Sequence, residues 1–145
     1  MANVVPNAFK GELLSGTHNF ASGGDSFKLA LYTSNPYTTS STAYSSGAGN
    51  EVSGSAAGYS TGGSALTSQA VASSTATASV DFANLTFSSA TFSAAFGAIY
   101  NDDKSDKLVV ILDFGGTKTA TNGDFTIAFP DPSTPSNAII SLTSS

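Results

Sequence analysis

The sequence predicts an all-β protein, an antiparallel β-sandwich or jelly-roll-like single domain over residues 1–145, preceded by a short N-terminal helix or arm. Three observations predict this class. Short segments of alternating apolar and polar residues recur, as in strands with one buried face. Turn residues separate them at intervals of roughly 8–12 residues, the spacing of sandwiches and jelly rolls. Hydrophobic residues make up 40% of the chain, ten of them Phe, which is enough for a core.

The N-terminal segment, residues 1–20, predicts an arm or a short helix. Asn7 could cap a helix over residues 6–15, or Pro6 could occupy its first turn. Gly16 is suited to ending it. A helix packed on the sheet and an arm that reaches a neighbour both remain open. The apolar residues of this segment are candidate partner contacts: Val4, Val5, Phe9, Leu13 and Leu14.

The first strand is predicted over residues 26–33. Its alternation places Phe27, Leu29 and Leu31 on one face. Such a pattern is typical of a half-buried strand in an antiparallel sheet.

A long loop rich in Tyr, Ser and Gly is predicted over residues 35–63, with a brief strand at 51–53. Loops of this length are commonly functional or mobile. Tyr37, Tyr44 and Tyr59 are candidate contacts for a partner protein or a sugar, because tyrosine gives contact area at low entropic cost. The alternative is that these rings lie flat on the domain's own sheet.

Seven more strands complete the predicted fold. The segment 107–114 is apolar on both faces, which indicates a strand that is central or covered by a partner. A hairpin loop is predicted over residues 101–106, and turns at Gly115-Gly116 and Asn122-Gly123. The predicted strands cover residues 65–72, 75–82, 85–87, 92–100, 107–114, 124–129 and 137–142.

The side chains used in catalysis are scarce. The chain has no Cys, one His and five cationic residues, all Lys. Ser26 follows Gly24-Asp25 as in some esterase nucleophile blocks, but the one His lies upstream and Ser26 opens a strand rather than a strand-to-helix elbow. We therefore expect a non-enzymatic protein without a cofactor, with His18 at the surface or in an interface.

Three acidic residues share the predicted hairpin loop: Asp102, Asp103 and Asp106. Their oxygens could bind Ca²⁺, but the spacing differs from that of an EF-hand loop, and Lys104 and Lys107 offset the charge. We expect a solvated hairpin tip and no metal site.

The net charge of −5 and the scattered lysines argue against nucleic acid and anionic membranes as partners. No apolar run reaches 18 residues, and residues 1–6 lack the pattern of a secretion signal. The expectation is synthesis and folding in a cytoplasm, whatever the final location of the protein.

Two blocks of the chain resemble small structural proteins of tailed bacteriophages. The first covers residues 7–20 (NAFKGELLSGTHNF) and 27–33 (FKLALYT). The second consists of ATF at 90–92, AIYN at 98–101, LDFGG at 112–116 and TNGDFTI at 121–127. The blocks cover about half of the chain, and the tyrosine-rich middle matches less well.

This resemblance implies a virion protein without enzymatic activity. A head decoration (cement) protein fits the size best. Such proteins bind the outer capsid, often as trimers, so the implied partners are the major capsid protein and further copies of this chain. A tail or adaptor component is the alternative within the family. A glycan-binding β-sandwich is a separate alternative, which rests on the three tyrosines and lacks the Trp common in sugar sites.

Overall fold

The computed structural model describes residues 3–130 and 138–144, and it confirms the all-β class with a short N-terminal helix. Every strand pairing is antiparallel. The elements are α1 (Asn7–Leu14), β1 (Phe27–Tyr32), β2 (Ser64–Ala65), β3 (Ala70–Ser73), β4 (Thr77–Asp81), β5 (Leu85–Asn101), β6 (Lys107–Ile127) and β7 (Ile140–Thr143).

The strands form two sheets that enclose the main core. One sheet has the order β2-β1-β5-β6 and the other the order β3-β4-β7. Ten phenylalanines occur in the chain, and several of their buried rings are in contact. Phe27 meets Phe82 edge-on and stacks on Phe20, and Phe92 lies tilted against Phe125. Aromatic rings in these arrangements stabilise a core beyond the area that they bury.

Helix α1 begins without a side-chain cap and ends on a glycine. Pro6 occupies the N-cap position and no side chain caps the helix, so the prediction of Asn7 as the cap was wrong. Gly16, at φ 74°, ends the helix as predicted. Its N–H donates to Leu13 O (3.3 Å), and Thr17 N–H donates to Glu12 O (2.9 Å), which is the Schellman arrangement.

Strand β1 is buried on both faces rather than on one. Phe27, Leu29 and Leu31 enter the main core, as the alternation predicts. Ala30 and Tyr32, on the other face, belong to a second apolar cluster. The prediction of a half-buried strand was wrong because the segment 35–63 folds over this second face.

Strands β5 and β6 are each longer than predicted, because each joins two predicted strands. The expected turns at Gly115-Gly116 and Asn122-Gly123 are irregularities within β6. Between the pairs Ala94↔Lys118 and Phe96↔Asp113, β5 advances two residues and β6 five. Gly115 (φ 72°) and Asn122 (φ 49°) supply the left-handed backbone that such bulges use.

The apolar segment 107–114 lies at the start of β6, which is an edge strand of its sheet. Its apolar side chains are nevertheless buried, some in the main core and some in the second apolar cluster, against which Val4 of the N-terminal segment also packs. Val4 and Ile111 exchange two backbone hydrogen bonds of 2.9 and 2.8 Å. At Ile111 the edge is therefore paired within the chain, which removes part of a template for unwanted strand addition.

The remaining strands differ from the prediction in length. Segment 65–72 forms two short strands, β2 and β3, separated by Ser68 at φ 54°. The brief strand expected at 51–53 is a single bridge between Glu51 and Tyr32. The last strand begins at Ile140, and the predicted start at Asn137 lies outside the described residues.

Candidate functional site

The three tyrosines predicted as contacts lie in and around the second apolar cluster and the main core. Tyr37 and Tyr59 are only 6% and 5% exposed. Tyr44 is half-buried and stacks on Tyr100, with ring centroids 4.4 Å apart. The rings therefore pack on the domain's own sheet, which is the alternative that the sequence left open.

A single carboxylate organises the tyrosine loop. Glu51 Oε1 accepts hydrogen bonds from the Tyr59 hydroxyl and from Gly62 N–H, both at 2.7 Å. Glu51 Oε2 accepts the Tyr44 hydroxyl at 3.0 Å. Charge-assisted bonds of this kind are stronger than neutral ones. The sequence-based prediction missed this role, although the sequence carries one signal for it: Glu51 is the one charged residue between Lys28 and Asp81.

The loop also completes the hydrogen bonding of β1. Leu31 N–H donates to the Tyr59 hydroxyl (3.0 Å), and Leu31 O accepts Val52 N–H (2.9 Å). Burial raises the pKa of the Tyr59 hydroxyl above its usual range, and the neighbouring Glu51 carboxylate adds to the rise. The phenol stays protonated, so it can donate to Glu51 and accept from the backbone at once. These hydrogen bonds hold the tyrosine loop in place on β1.

A second polar cluster joins the N-terminal segment to the β5–β6 hairpin. His18 lies in it with its side chain fully buried, so the prediction of a surface or interface position was wrong. The rings of Phe9 and Phe20 flank it, with centroids 5.1 and 6.1 Å away. Its Nε2 lies 2.9 Å from Glu12 Oε2, and Glu12 Oε1 accepts Lys107 Nζ at 2.7 Å.

Asn101, which has no exposed surface, determines which ring nitrogen of His18 carries the proton. Its Oδ1 accepts Asp103 N–H (3.2 Å), so its Nδ2 must be the atom that faces His18 Nδ1 (3.0 Å) and Asp25 Oδ2 (2.9 Å). Since Nδ2 can only donate, His18 Nδ1 is an acceptor and the ring proton resides on Nε2. Both ring nitrogens of His18 are therefore engaged in hydrogen bonds, Nε2 with Glu12 and Nδ1 with Asn101.

Ser26 has no base in this arrangement. Both nitrogens of His18 are engaged elsewhere, whereas a catalytic serine needs a base that can take its proton. The backbone N–H of Ser26 donates to Asp103 Oδ2 at 2.7 Å, and its carbonyl accepts Asp102 N–H at 2.9 Å. Ser26 thus ties the start of β1 to the hairpin loop.

Two of the three acidic side chains of the hairpin are used in structural contacts. Asp102 pairs with Lys28 at 3.1 Å, and Asp103 accepts the bond from Ser26. Within residues 3–130 and 138–144, no group of three or more His, Cys, Asp or Glu side chains could hold a metal ion. In the same described part of the chain, no helix has the length and apolarity needed to cross a membrane.

The second cluster predicts a loss of stability in acid. Burial raises the pKa of Glu12, but hydrogen bonds from Lys107 and His18 outweigh it and hold the pKa below the ordinary 4.5. The pKa of Asp25 is likewise held below 3.8, because bonds from Asn101 and the Asn19 backbone outweigh burial. A carboxyl group whose pKa is lower in the folded chain than in the unfolded chain stabilises the fold at pH values above its unfolded pKa. This stability is lost as the pH falls through the pKa of the folded state.

We therefore expect the urea midpoint of unfolding to fall as the pH is lowered from about 5 to about 3. In the Glu12→Gln variant this decline should be shallower, since one of the two linked protons is removed. If the urea midpoint of this variant declined with pH as steeply as that of the wild type, Glu12 would not contribute to the loss of stability in acid.

An apolar groove of about 450 Å³ lies between helix α1 and strand β7. Leu14 is 87% exposed, Leu142 56% and Val5 36%. Phe9 is buried beneath the groove, and Leu13 packs against the core at its side. Among the described residues that line the groove, Lys10 alone is charged. Four predicted contacts, Val5, Phe9, Leu13 and Leu14, thus come together here, whereas Val4 pairs with β6.

Comparison with protein-family models, with curated protein sequences and with solved structures finds no match for this chain.

Proposed function

We propose that this chain is a non-enzymatic structural protein of a bacteriophage virion, which binds the outer capsid as a decoration protein and stabilises it. Its partners would be the major capsid protein and copies of itself, with a trimer as the favoured oligomer. A tail or adaptor component is the alternative within the same class. The observation that carries the proposal is the apolar groove between α1 and β7, rimmed by Leu14, Leu142 and Val5.

The exposed apolar side chains of the groove and the charge of its lining residues both suit a surface that binds another protein. Large exposed apolar side chains that cluster are typical of interaction sites, whereas single ones are ordinary. The net charge of −5 makes copies of this chain repel one another. Since none of the described residues that line the groove is acidic, an apolar contact between them brings no carboxylates together.

The polar clusters support the proposal from another direction. Glu51 and the tyrosines hold a loop in place, and His18 is bound on both ring nitrogens. Neither cluster offers a nucleophile beside a free base. A decoration protein needs no such group, because it gains affinity from several simultaneous contacts with the shell.

The role can be tested on virions purified from cells infected with the phage that carries this gene. Mass spectrometry should detect the chain in many copies per particle, and immunogold labelling should place it on the head. Labelling of the tail would favour the adaptor alternative. Absence of the chain from purified particles would contradict both versions.

The groove itself predicts the effect of a single substitution. Leu14→Asp should lower the amount bound to particles at least about tenfold, because burial of a leucine contributes ~1.5–3 kcal/mol. Its thermal stability should change little, since the side chain is largely exposed. Val71→Asp is the matched control, because Val71 is 56% exposed on β3 and lies outside the groove. Equal losses in the two variants would exclude the groove as the contact surface.

The glycan-binding alternative receives no support from the positions of the tyrosines. Tyr37 and Tyr59 are buried, and Tyr44 stacks on Tyr100. Sugar-stacking platforms need aromatic faces open to solvent, so we do not propose this function.

A further inference from the structure

The cluster around His18 connects parts of the chain that are far apart in sequence. We call His18, Glu12, Asn101 and Asp25 the histidine latch. Glu12 belongs to α1, Asn101 to the end of β5, and Asp25 to the segment before β1. Besides these bonds, the N-terminal segment is held by the Val4–Ile111 pair and by Asn7 N–H, which donates to Thr39 O at 2.8 Å.

We propose that the histidine latch holds helix α1 on the β5–β6 hairpin while His18 is neutral and releases the helix when His18 takes up a proton. This goes beyond the virion role and does not depend on it, since the latch lies within one chain.

The hydrogen bonds around Asn101 admit only the neutral ring. Protonation of His18 at Nδ1 would place an N–H group against the Asn101 amide, which also donates, across 3.0 Å. Rotation of the amide does not resolve the conflict. It would turn Oδ1 toward the Asp25 carboxylate and Nδ2 toward Asp103 N–H, so that two further bonds are lost. Buried polar groups left unpaired in this way are costly.

Charged groups lie on both sides of the His18 ring, and they affect its two nitrogens differently. On α1, the Glu12 carboxylate accepts the Nε2 proton in either state of the ring, and Lys107 of β6 neutralises this carboxylate. On the Nδ1 side, Asp25 binds Asn101 and is paired with Lys104 of the hairpin at 3.6 Å. Asp103 faces away, toward Ser26. The Nδ1 side is therefore where the second proton conflicts with the fold.

Release of the ring would free α1 in particular. The imidazole lies between Phe9 of the helix and Phe20, so a charged ring that leaves the pocket also removes the packing of the helix. A helix of eight residues is not stable on its own in water. The sheets keep their own core of Phe27, Phe82 and Phe92, so we expect local opening rather than unfolding.

The test is amide hydrogen exchange of the purified full chain by NMR, from about pH 7.5 to about pH 5.5, which brackets the ordinary imidazole pKa near 6.5. Protection of the α1 amides, corrected for intrinsic exchange, should fall at least about tenfold, while that of β1 changes less than about twofold. The C–H chemical shifts of His18, recorded on the same samples, report whether the ring is protonated when protection is lost.

The control is His18→Asn, whose Oδ1 can accept from Asn101 but cannot titrate. Its α1 protection should be independent of pH over this range. The proposal is overturned if the variant loses protection as the wild type does. It is also overturned, with no variant required, if wild-type α1 keeps its protection, or if the ring titrates in place while α1 stays closed.

Discussion

Replacement of Gly63 by Ala is expected to cost more than about 3 kcal/mol of folding stability, a loss that is exceptional for one methyl group. A Cβ at this position would collide with the carbonyl oxygen of Leu29 and would lie 2.7 Å from Cα of Ala30. Both are backbone atoms in the middle of β1, so no side chain can move aside to make room. Gly63 also has φ +76°, where any L-residue is strained.

Gly23 provides a matched control for this substitution. It has the same φ of +76°, and a Cβ there would meet no atom within 4 Å. Gly23→Ala should therefore cost only the left-handed strain, about 1–2 kcal/mol. The difference between the two variants in urea unfolding measures the collision with β1. Equal losses would mean that the chain can move away from β1 at residue 63, and the close packing of this crossing would be wrong.

The features that the sequence predicted correctly depend on local chemistry. The alternation in β1, the helix around Phe9 and its end at Gly16 follow from residues within a few positions of one another. The hairpin loop after Asn101 is of the same kind. Such signals need no knowledge of the partner strand, so the sequence alone is sufficient to identify them.

The long strands were missed because a turn and a bulge use the same residues. Gly115-Gly116 and Asn122-Gly123 favour positive φ, and both structures need it. Whether the chain reverses or continues depends on the strand opposite. Here β5 continues on both sides of each irregularity and keeps β6 paired with it. This information is absent from the local sequence.

The polar clusters were missed because their members are distant in sequence. His18 and Asn101 are separated by 83 positions, and Glu12 and Lys107 by 95. No spacing motif indicates such a contact, so the sequence predicts a surface or interface position for His18. The burial of the tyrosine loop has a similar origin, since it depends on the carboxylate of Glu51 rather than on the composition of the loop.

Asn101→Asp should be among the most damaging substitutions in this protein, with an expected loss of at least about 3 kcal/mol at neutral pH. The new carboxylate would lie within hydrogen-bond distance of Asp25 and would face the lone pair of His18 Nδ1. Asn101 has no exposed surface, so water cannot relieve the repulsion. Two donors would be lost, and the buried charge that replaces them would keep Asp103 N–H as its donor.

The pH dependence of this variant follows from the same geometry. Burial and the nearby Asp25 raise the pKa of the introduced carboxyl in the folded state above its ordinary 3.9. The folded variant then binds a proton that the unfolded chain releases, so its stability increases as the pH falls toward that value. The wild type loses stability in the same direction through Glu12 and Asp25, so the difference between the two proteins should narrow in acid.

Asn84→Asp is the matched control, because Asn84 is exposed and uses only its oxygen, which accepts Phe129 N–H at 2.8 Å. A carboxylate can make that bond equally well, so the cost should stay below about 0.5 kcal/mol. Urea unfolding of both variants between about pH 4.5 and about pH 7.5 gives the comparison. If Asn101→Asp were as mild as the control, or if its deficit were constant with pH, the amide would not be the buried double donor on which the histidine latch depends.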